Sequence, residues 1–251
     1  MSLRWIAVWR RNWLVWKRLA IPSILGNLAD PLIMLFGLGY GLGAMVGGLG
    51  GSSYFAFLAG GFVASSTMYA ATFESLFSAF SRMHVQRTWE GIVNAPMTLD
   101  DVLAGEWAWS ATKALAAGLC MLAVVSAFGY AKGAWALAVI PVVLLLGLAF
   151  AGLGLSVNAL ASGYDFFSYY MTLALTPMMM LSGVFFPIEQ MPAAVQAVAK
   201  ALPLYHGVAL VRPLLAGEYS APMAAHVAVL AAYAMVGFYA ATVLTRRRLL
   251  K

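Results

Sequence analysis

The sequence predicts an all-α integral membrane protein with six transmembrane helices, an N-terminal amphipathic interfacial helix, and short re-entrant or extracytoplasmic helices between the last two spans. Of its 251 residues, 63% are hydrophobic and 10% are charged, and the mean hydropathy is +0.86. Soluble domains are about half apolar and a quarter charged. The excess of hydrophobic residues lies in six apolar runs, each close in length to the roughly 20 residues that cross a bilayer.

Residues 1–22 are predicted to form a helix that lies on the membrane surface. At 100° per residue, four tryptophans fall within an arc of about 80°, and the basic residues take the opposite side. Tryptophan at the depth of the lipid head groups, opposite lysine and arginine, is typical of an interfacial helix. The alternative is an ordinary cytoplasmic extension of the first span. The tryptophans are Trp5, Trp9, Trp13 and Trp16.

The apolar runs give the boundaries of a single domain, residues 1–251. Asn27, Asp30 and Pro31 are expected to start the first span. Lysine and arginine cluster before the first span, after the second and after the sixth, so both termini and the loop 81–106 should be cytoplasmic. The expected location is the bacterial cytoplasmic (inner) membrane, and the net charge of +6 reflects topology, with no nucleic-acid partner. The predicted spans are 28–46, 54–80, 107–128, 135–160, 167–185 and 222–245.

The loop 81–106 is long enough to present a rigid knob to the cytoplasm. We expect a short helix that ends at Gly91, a break, and a second helix with Thr98 as its N-cap and acidic residues in its first turn. A solvated turn without further structure is the alternative. The residues concerned are Arg82, Arg87 and Glu90 in the first helix and Asp100 and Asp101 in the second.

The segment 181–212, LSGVFFPIEQMPAAVQAVAKALPLYHGVALVR, is apolar enough for a membrane but should not cross it. Its prolines each remove a backbone donor, so no uninterrupted helix of about 20 residues can form. Irregular backbone at membrane depth must be covered by protein or line a cavity. We therefore expect residues 186–221 to dip in, turn back and form an extracytoplasmic cap. The cap residues are Phe185, Pro187, Pro192, Pro203 and Arg212.

Polar groups inside the spans are candidates for a translocation path. Thr67, Glu74 and Ser78 share a face of the second span, and a carboxylate at the centre of a span costs about 2.5 to 3.5 kcal/mol. Glu74 could line an inner vestibule at a dimer interface, or it could accept an interhelical hydrogen bond that only fixes packing. Lys113 is expected to snorkel from the third span.

The fifth span is short and kinked by Pro177. Two threonines share one face, and methionines follow the kink. Flexible thioethers suit the wall of a path for an apolar chain, although methionine at helical spacing is also a common core residue. The proposed path residues here are Thr172, Thr176, Met178 and Met179.

The chain contains none of the motifs that would give it chemistry of its own. No glycine precedes a lysine, so the P-loop is missing, and there is no HExxH, no GxSxG and no cluster of histidine and cysteine. We expect no catalytic residue, no metal site and no cofactor in this chain.

Three segments carry a resemblance to a known family: SILGNLADPLIMLFGLGYGLG (23–43), AATFESLFSAFSRMHVQRTWEG (70–91) and 181–212. With the basic N-terminal helix and six spans, the chain resembles the membrane subunit of type-2 ABC exporters. More closely, it is similar to the nodulation protein J permeases, which export lipo-chitooligosaccharides.

The resemblance implies a homodimer that works with two copies of a separately encoded ATPase of the nodulation protein I type, which would bind ATP and Mg²⁺. It also implies that the loop after the second span carries the coupling helix. Ala95 departs from the threonine that relatives often place before the proline of this loop. The matching residues are Arg87, Thr88, Trp89, Glu90, Asn94 and Pro96.

The sequence therefore predicts a permease that moves an amphipathic substrate, such as a lipo-oligosaccharide or glycolipid, out of the cytoplasm. One alternative is an ABC exporter of drugs or other hydrophobic molecules. Another is a proton-coupled secondary carrier that uses Glu74, although matching inverted repeats are missing. A membrane-embedded enzyme would need a convergent acid, base or metal set, which is missing as well.

Overall fold

The computed structural model describes residues 3–46, 53–93, 96–220 and 222–249, which are overwhelmingly helical. This confirms the predicted fold class. In chain order the α-helices of these ranges are α1 (Trp5–Trp16), α2 (Ala20–Gly41), α3 (Gly43–Val46), α4 (Tyr54–Phe73), α5 (Thr88–Val93), α6 (Leu99–Ala127), α7 (Val139–Leu160), α8 (Tyr164–Tyr170), α9 (Thr176–Leu181), α10 (Ala193–Ala201), α11 (Pro203–Ala216) and α12 (Met223–Leu249). Short 3₁₀-helical turns at Lys17–Leu19, Ala134–Ala138 and Ile188–Gln190 and π-helical turns at Glu74–Ser78, Ser81–Val85 and Met171–Leu175 adjoin them.

Within the described ranges, five helical runs are long and apolar enough to cross a membrane, or six if α10 and α11, bent by 90°, count as one. The run through α4 is central, because 89% of its most apolar stretch is buried, against 6% for the run through α2 and 22% for α12. The runs are Trp5–Gly41, Tyr54–Val85, Leu99–Ala127, Ala134–Leu160 and Met223–Leu249.

Several helices extend beyond the predicted apolar boundaries. The expectation that a new helix starts around Pro31 is wrong, because α2 begins at Ala20 and continues through this proline; membrane helices tolerate proline when neighbouring groups satisfy the freed backbone. The run through α4 reaches Val85. Thr98 is the N-cap of α6, as predicted, and it forms a reciprocal capping box with Asp101.

The predicted span 167–185 forms α8, a π-helical turn and α9, and it ends at a glycine turn. The helical run itself starts earlier, at Tyr164 and Asp165, and these two residues with Tyr169 and Tyr170 lower its hydropathy, so it is not among the five apolar runs. It nevertheless follows the whole length of the run through α4. Phe167 packs its ring 5.2 Å from that of Phe77 at one end, and the Phe185 carbonyl accepts a hydrogen bond from Tyr54 at the other.

The two ends of the helix bundle differ in charge. One end, which we call the basic face, holds α1, α5 and the last turn of α12 with Arg246, Arg247 and Arg248. The other end, which we call the cap face, holds residues 128–138 and 182–220. At the cap face the Lys132 amide donates to the Leu215 carbonyl.

The helices α10 and α11 form a helix pair, which we call the hairpin, and the pair is bent by 90° at the break that the prolines predicted. That this hairpin re-enters a membrane stays a prediction. Both of its ends lie at the cap face. Its tip reaches inward, since the Ala201 carbonyl accepts a hydrogen bond from the hydroxyl of Tyr233, which lies ten residues, or about 15 Å, along α12 from Met223. Pro203 begins α11, where its missing N–H costs nothing.

We predict that Gly152→Ala destabilises the bundle by about 1–3 kcal/mol, because α7 and α12 cross in direct backbone contact there. A Cβ atom at Gly152 would lie 2.8 Å from the backbone nitrogen of Phe238. Thermal unfolding of the purified protein measures the effect. Gly91→Ala is the matched control, since a Cβ atom there meets no other atom within 4 Å; equal melting temperatures for the two variants would contradict the close crossing.

Candidate functional site

The basic face contains a buried ion network centred on Glu106 of α6. Arg82 donates to both carboxylate oxygens, from Nε to Oε1 at 2.9 Å and from Nη2 to Oε2 at 2.5 Å. Glu106 is fully buried, and the Arg82 side chain is 13% exposed. Two parallel charge-assisted hydrogen bonds fix the geometry, and each charge needs the other because burial removes most of its contact with water.

Glu74, in the π-helical turn after α4, extends the network. Its Oε1 accepts hydrogen bonds from Arg82 and from Trp109, and its Oε2 accepts one from Lys113, each at 2.8 Å. The prediction that Lys113 snorkels is wrong, because a buried carboxylate lies within its reach. Glu74 is thus paired across helices, as in the alternative in which it accepts an interhelical hydrogen bond that fixes packing. Its role in a path stays a prediction.

The N-terminal helix α1 is docked onto the same network. The side-chain amide of Asn12 donates to Glu106 Oε2 at 3.2 Å, and Arg11 Nη2 lies 3.5 Å from Glu106 Oε1. Val8 is packed against Gly105, which has no side chain to keep the two helices apart. A single carboxylate therefore contacts α1 and the end of the run through α4.

The tryptophans of α1 have protein neighbours as well as exposed surface, and the placement of α1 on a membrane surface stays a prediction. The rings of Trp9, Trp13 and Trp16 surround Trp109 of α6 at centroid distances of 6.5, 6.4 and 6.0 Å. Trp13 remains 39% exposed, and Trp5 is partly exposed.

The predicted coupling residues lie in α5 or close to it in the sequence. Trp89 is only 2% exposed and donates from Nε1 to Glu106 Oε1 at 3.3 Å. Glu90, the next residue, is exposed. Arg87 precedes the helix with a φ of +50°, and Thr88 donates to the Arg82 carbonyl at 2.9 Å. The short helix is therefore attached to the ion network on one side and free on the other.

The end of this loop differs from the prediction in one respect. Gly91 does not end the helix, since α5 continues to Val93, and nothing lies within 4 Å of the position where a Cβ atom of Gly91 would be. Asn94 lies outside the described residues. The Pro96 carbonyl accepts a hydrogen bond from Arg4, which links the loop to the start of the chain.

A cleft of about 350 Å³ borders the network at the basic face, lined by Arg11, Trp16, Glu74, Ser78 and Lys113 among others. Glu74 and Ser78 of the predicted path thus share a cleft. Thr67 does not face a path: it is fully buried, its hydroxyl donates to the Val63 carbonyl, and it lies against α6. Gly118 of α6 allows that close approach.

A second, larger cavity of about 520 Å³ lies between α2, α4 and α9, and most of its lining residues are apolar. Two of the predicted path residues, Thr176 and Met179, line it. Met178 is buried in the core instead, and Thr172 is exposed on the outer side of its helix. Asp30 of α2 also lines this cavity, and its carboxylate is exposed.

The predicted cap residues lie at the cap face. Arg212 of α11 stacks its guanidinium 3.7 Å from the centre of the Phe57 ring and donates to the Gly183 carbonyl at 2.7 Å. Phe185 is buried. Pro187 and Pro192 are the N-caps of the short helices that follow them, and Pro203 begins α11. Their function as a cap stays a prediction.

Among the described residues no group of three or more histidine, cysteine, aspartate or glutamate side chains could hold a metal ion. The two buried carboxylates of the network, Glu74 and Glu106, are paired with cations of other helical segments.

Comparison with known proteins identifies the class. A family model described as "ABC-2 type transporter" matches residues 4–216. The chain therefore belongs to the ABC-2 type transporter membrane family, whose members are membrane subunits of transporters.

Within this family the chain is similar to nodulation protein J. It is 51% identical over 250 residues to nodulation protein J of Rhizobium leguminosarum bv. trifolii, covering 100% of this chain and 95% of that protein. It is 50% identical over 246 residues to nodulation protein J of Rhizobium meliloti (strain 1021), covering 98% and 94%. The inner membrane transport permease YadH of Escherichia coli (strain K12) is 24% identical over 243 residues, covering 95% and 94%. The resemblance to nodulation protein J permeases is confirmed.

Sequence reasoning missed most of the network around Glu74. Glu106, Trp109 and Lys113 lie at helical spacing on one stretch of α6. The sequence signal for a paired site there is the Glu106 carboxylate, which directly precedes the predicted span 107–128. Arg11 and Asn12 gave no signal, because α1 was expected to face lipid and solvent and not another helix.

We predict that Glu106→Gln destabilises the folded protein by about 3–5 kcal/mol, because the variant leaves the largely buried Arg82 without its main counter-charge. Thermal unfolding in detergent, followed by size-exclusion chromatography, measures the loss. Asp100→Asn is the control, since it breaks an ion pair with Arg246 that is largely exposed and that should contribute little. Equal thermal shifts for the two variants would count against the network.

Proposed function

We propose that this chain is the permease subunit of an ABC exporter that a separate ATPase subunit drives. The observation that supports this proposal most directly is the attachment of α5 to the transmembrane bundle through the hydrogen bond from Trp89 to Glu106. A short helix with a buried anchor and an exposed outer side is suited to receive movement from a partner and pass it on. The family assignment supports this role.

The proposed complex contains two copies of this chain and two copies of an ATPase of the nodulation protein I type. ATP and Mg²⁺ would be bound by the ATPase. In this assembly the exposed side of α5, which carries Glu90, faces the ATPase. The clustering of arginine and lysine at the basic face supports an orientation with both termini in the cytoplasm, in a bacterial inner membrane.

The proposed mechanism begins when ATP binding brings the two ATPase subunits together and displaces α5. Because Glu106 contacts Trp89, Arg82 and Asn12, the displacement reaches α6, the end of the run through α4, and α1 together. Tilting of these helices would separate the two permease copies on the side of the 520 Å³ cavity. The substrate would then leave past the hairpin at the cap face.

The proposed substrate is amphipathic, a lipo-oligosaccharide or a glycolipid-like molecule. The apolar cavity beside Met179 offers space for a lipid chain. The similarity to nodulation protein J supports a role in nodulation, and a lipo-chitooligosaccharide is our specific proposal for the exported molecule. Export of drugs or other hydrophobic molecules is the second candidate, which the apolar lining also suits.

A proton-coupled carrier based on Glu74 receives less support. The carboxylate already accepts hydrogen bonds from Arg82, Trp109 and Lys113. Two cationic neighbours favour its charged form, whereas a proton carrier needs a carboxylate that changes its protonation state during transport.

We predict that Glu90→Lys uncouples ATP hydrolysis from transport. Reversing an exposed charge at a contact with the ATPase should reduce substrate export on the order of tenfold, while the ATPase continues to hydrolyse ATP. The measurement is the amount of acylated chitooligosaccharide transported per ATP in proteoliposomes that contain both subunits.

Glu218→Lys is the matched control, because Glu218 is also exposed but lies at the cap face, away from the proposed ATPase contact. Normal transport per ATP in the Glu90 variant would exclude the coupling role of α5. Transport without any ATPase present would exclude the ABC exporter assignment for this chain.

A further inference from the structure

Asp30 occupies an unusual position for a carboxylate. It lies in the middle of α2, which begins at Ala20 and ends at Gly41. It borders the 520 Å³ cavity beside Tyr69, and Tyr69 is midway along the helical run Tyr54–Val85. The carboxylate is therefore at the middle depth of the bundle.

The Asp30 side chain has no partner in the described part of the chain. It is exposed, and neither a hydrogen bond nor an ion pair connects it to another described residue. Glu74 and Glu106, by contrast, are both buried and paired with cations. Because an ionisable group inside a span avoids lipid, something outside this single copy of the chain must satisfy Asp30.

The walls of the cavity indicate what that group is. No lysine or arginine is among the lining residues, so a cation of the described chain does not provide the missing partner. Phe62, Tyr69 and Phe73 supply aromatic rings, and Met179 and Met180 supply flexible apolar side chains. A cavity of this size with apolar walls and a few polar groups is typical of a ligand site.

We infer that the Asp30 carboxylate binds O–H and N–H groups on the polar head of an amphipathic substrate, whose apolar chain lies against Met179 and Met180. A carboxylate accepts hydrogen bonds through two oxygens and donates none when ionised, so a head group rich in hydroxyl and amide hydrogens matches it. The aromatic rings pack against the apolar faces of such a head group. The inference rests on the proposed function, because it names the substrate site of the same permease.

The test measures binding directly. The permease and its ATPase are placed together in nanodiscs, and a fluorescent N-acylated chitotetraose is titrated against them. A second probe carries the same acyl chain and fluorophore but no sugar. The variants are Asp30→Asn and Asp30→Leu, and Asp165→Asn is the matched control, since Asp165 is exposed outside the cavity.

We expect Asp30→Leu to raise the Kd of the acylated chitotetraose by about tenfold or more, since a hydrogen bond to a charged group is lost. Asp30→Asn should give a smaller rise. The Kd of the sugar-free probe should stay within about twofold of the wild-type value. The Asp165 variant should bind both probes normally.

An unchanged Kd of the acylated chitotetraose in Asp30→Leu would overturn the inference. So would equal weakening of both probes together with loss of the permease dimer on native mass measurement, which would make Asp30 a contact between copies. A wild-type complex that does not bind the acylated probe would overturn it as well. ATP-dependent uptake of the same probe into inverted vesicles is measured separately: normal binding without such uptake would refute the proposed export function and leave the Asp30 site standing.

Discussion

The ion pair between Arg82 and Glu106 is the interaction on which the arrangement of the basic face depends. Glu106 is fully buried and Arg82 is largely buried, so each charge holds the other in a fixed position. Glu106 also accepts hydrogen bonds from Asn12 of α1 and Trp89 of α5. The end of the run through α4, α5 and the distant α1 therefore meet at one carboxylate. A movement of α5 alone, without α6, would break the buried hydrogen bond between Trp89 and Glu106.

Composition and hydropathy were sufficient to predict the helical membrane fold, because the cost of burying unsatisfied backbone groups in lipid leaves few alternatives. The prolines predicted the break between α10 and α11. The helix boundaries were less accurate. Asp30 and Pro31 predict a helix start, since the residue before a proline disfavours helix, but α2 passes through both. The helices also extend beyond the apolar runs, where polar caps such as Thr98 determine their ends.

The site was only partly predictable. Glu74 and the loop with Trp89 and Glu90 stood out in the sequence as polar features in or beside spans. Their partners did not, because pairing depends on how each helix is rotated. The π-helical turns at Glu74–Ser78 and Ser81–Val85 change that rotation, since each wider turn departs from the regular spacing of 3.6 residues on which a helical projection relies.

The most direct test of joint movement at the basic face is a pulsed electron paramagnetic resonance distance between spin labels at Arg10→Cys in α1 and Gly91→Cys in α5, with Cys120 replaced by alanine. Both labelled positions are exposed. In the complex, only one of the two permease copies would carry the labels. The distance would be measured in the absence of nucleotide and again in the state with trapped ATP. Attachment of both helices to Glu106 predicts the same Arg10–Gly91 distance in both states, while the distance from Gly91 to a label at Glu218 on the cap face changes. A change in the Arg10–Gly91 distance would show that α5 moves independently of α1 and would contradict coupling through the network.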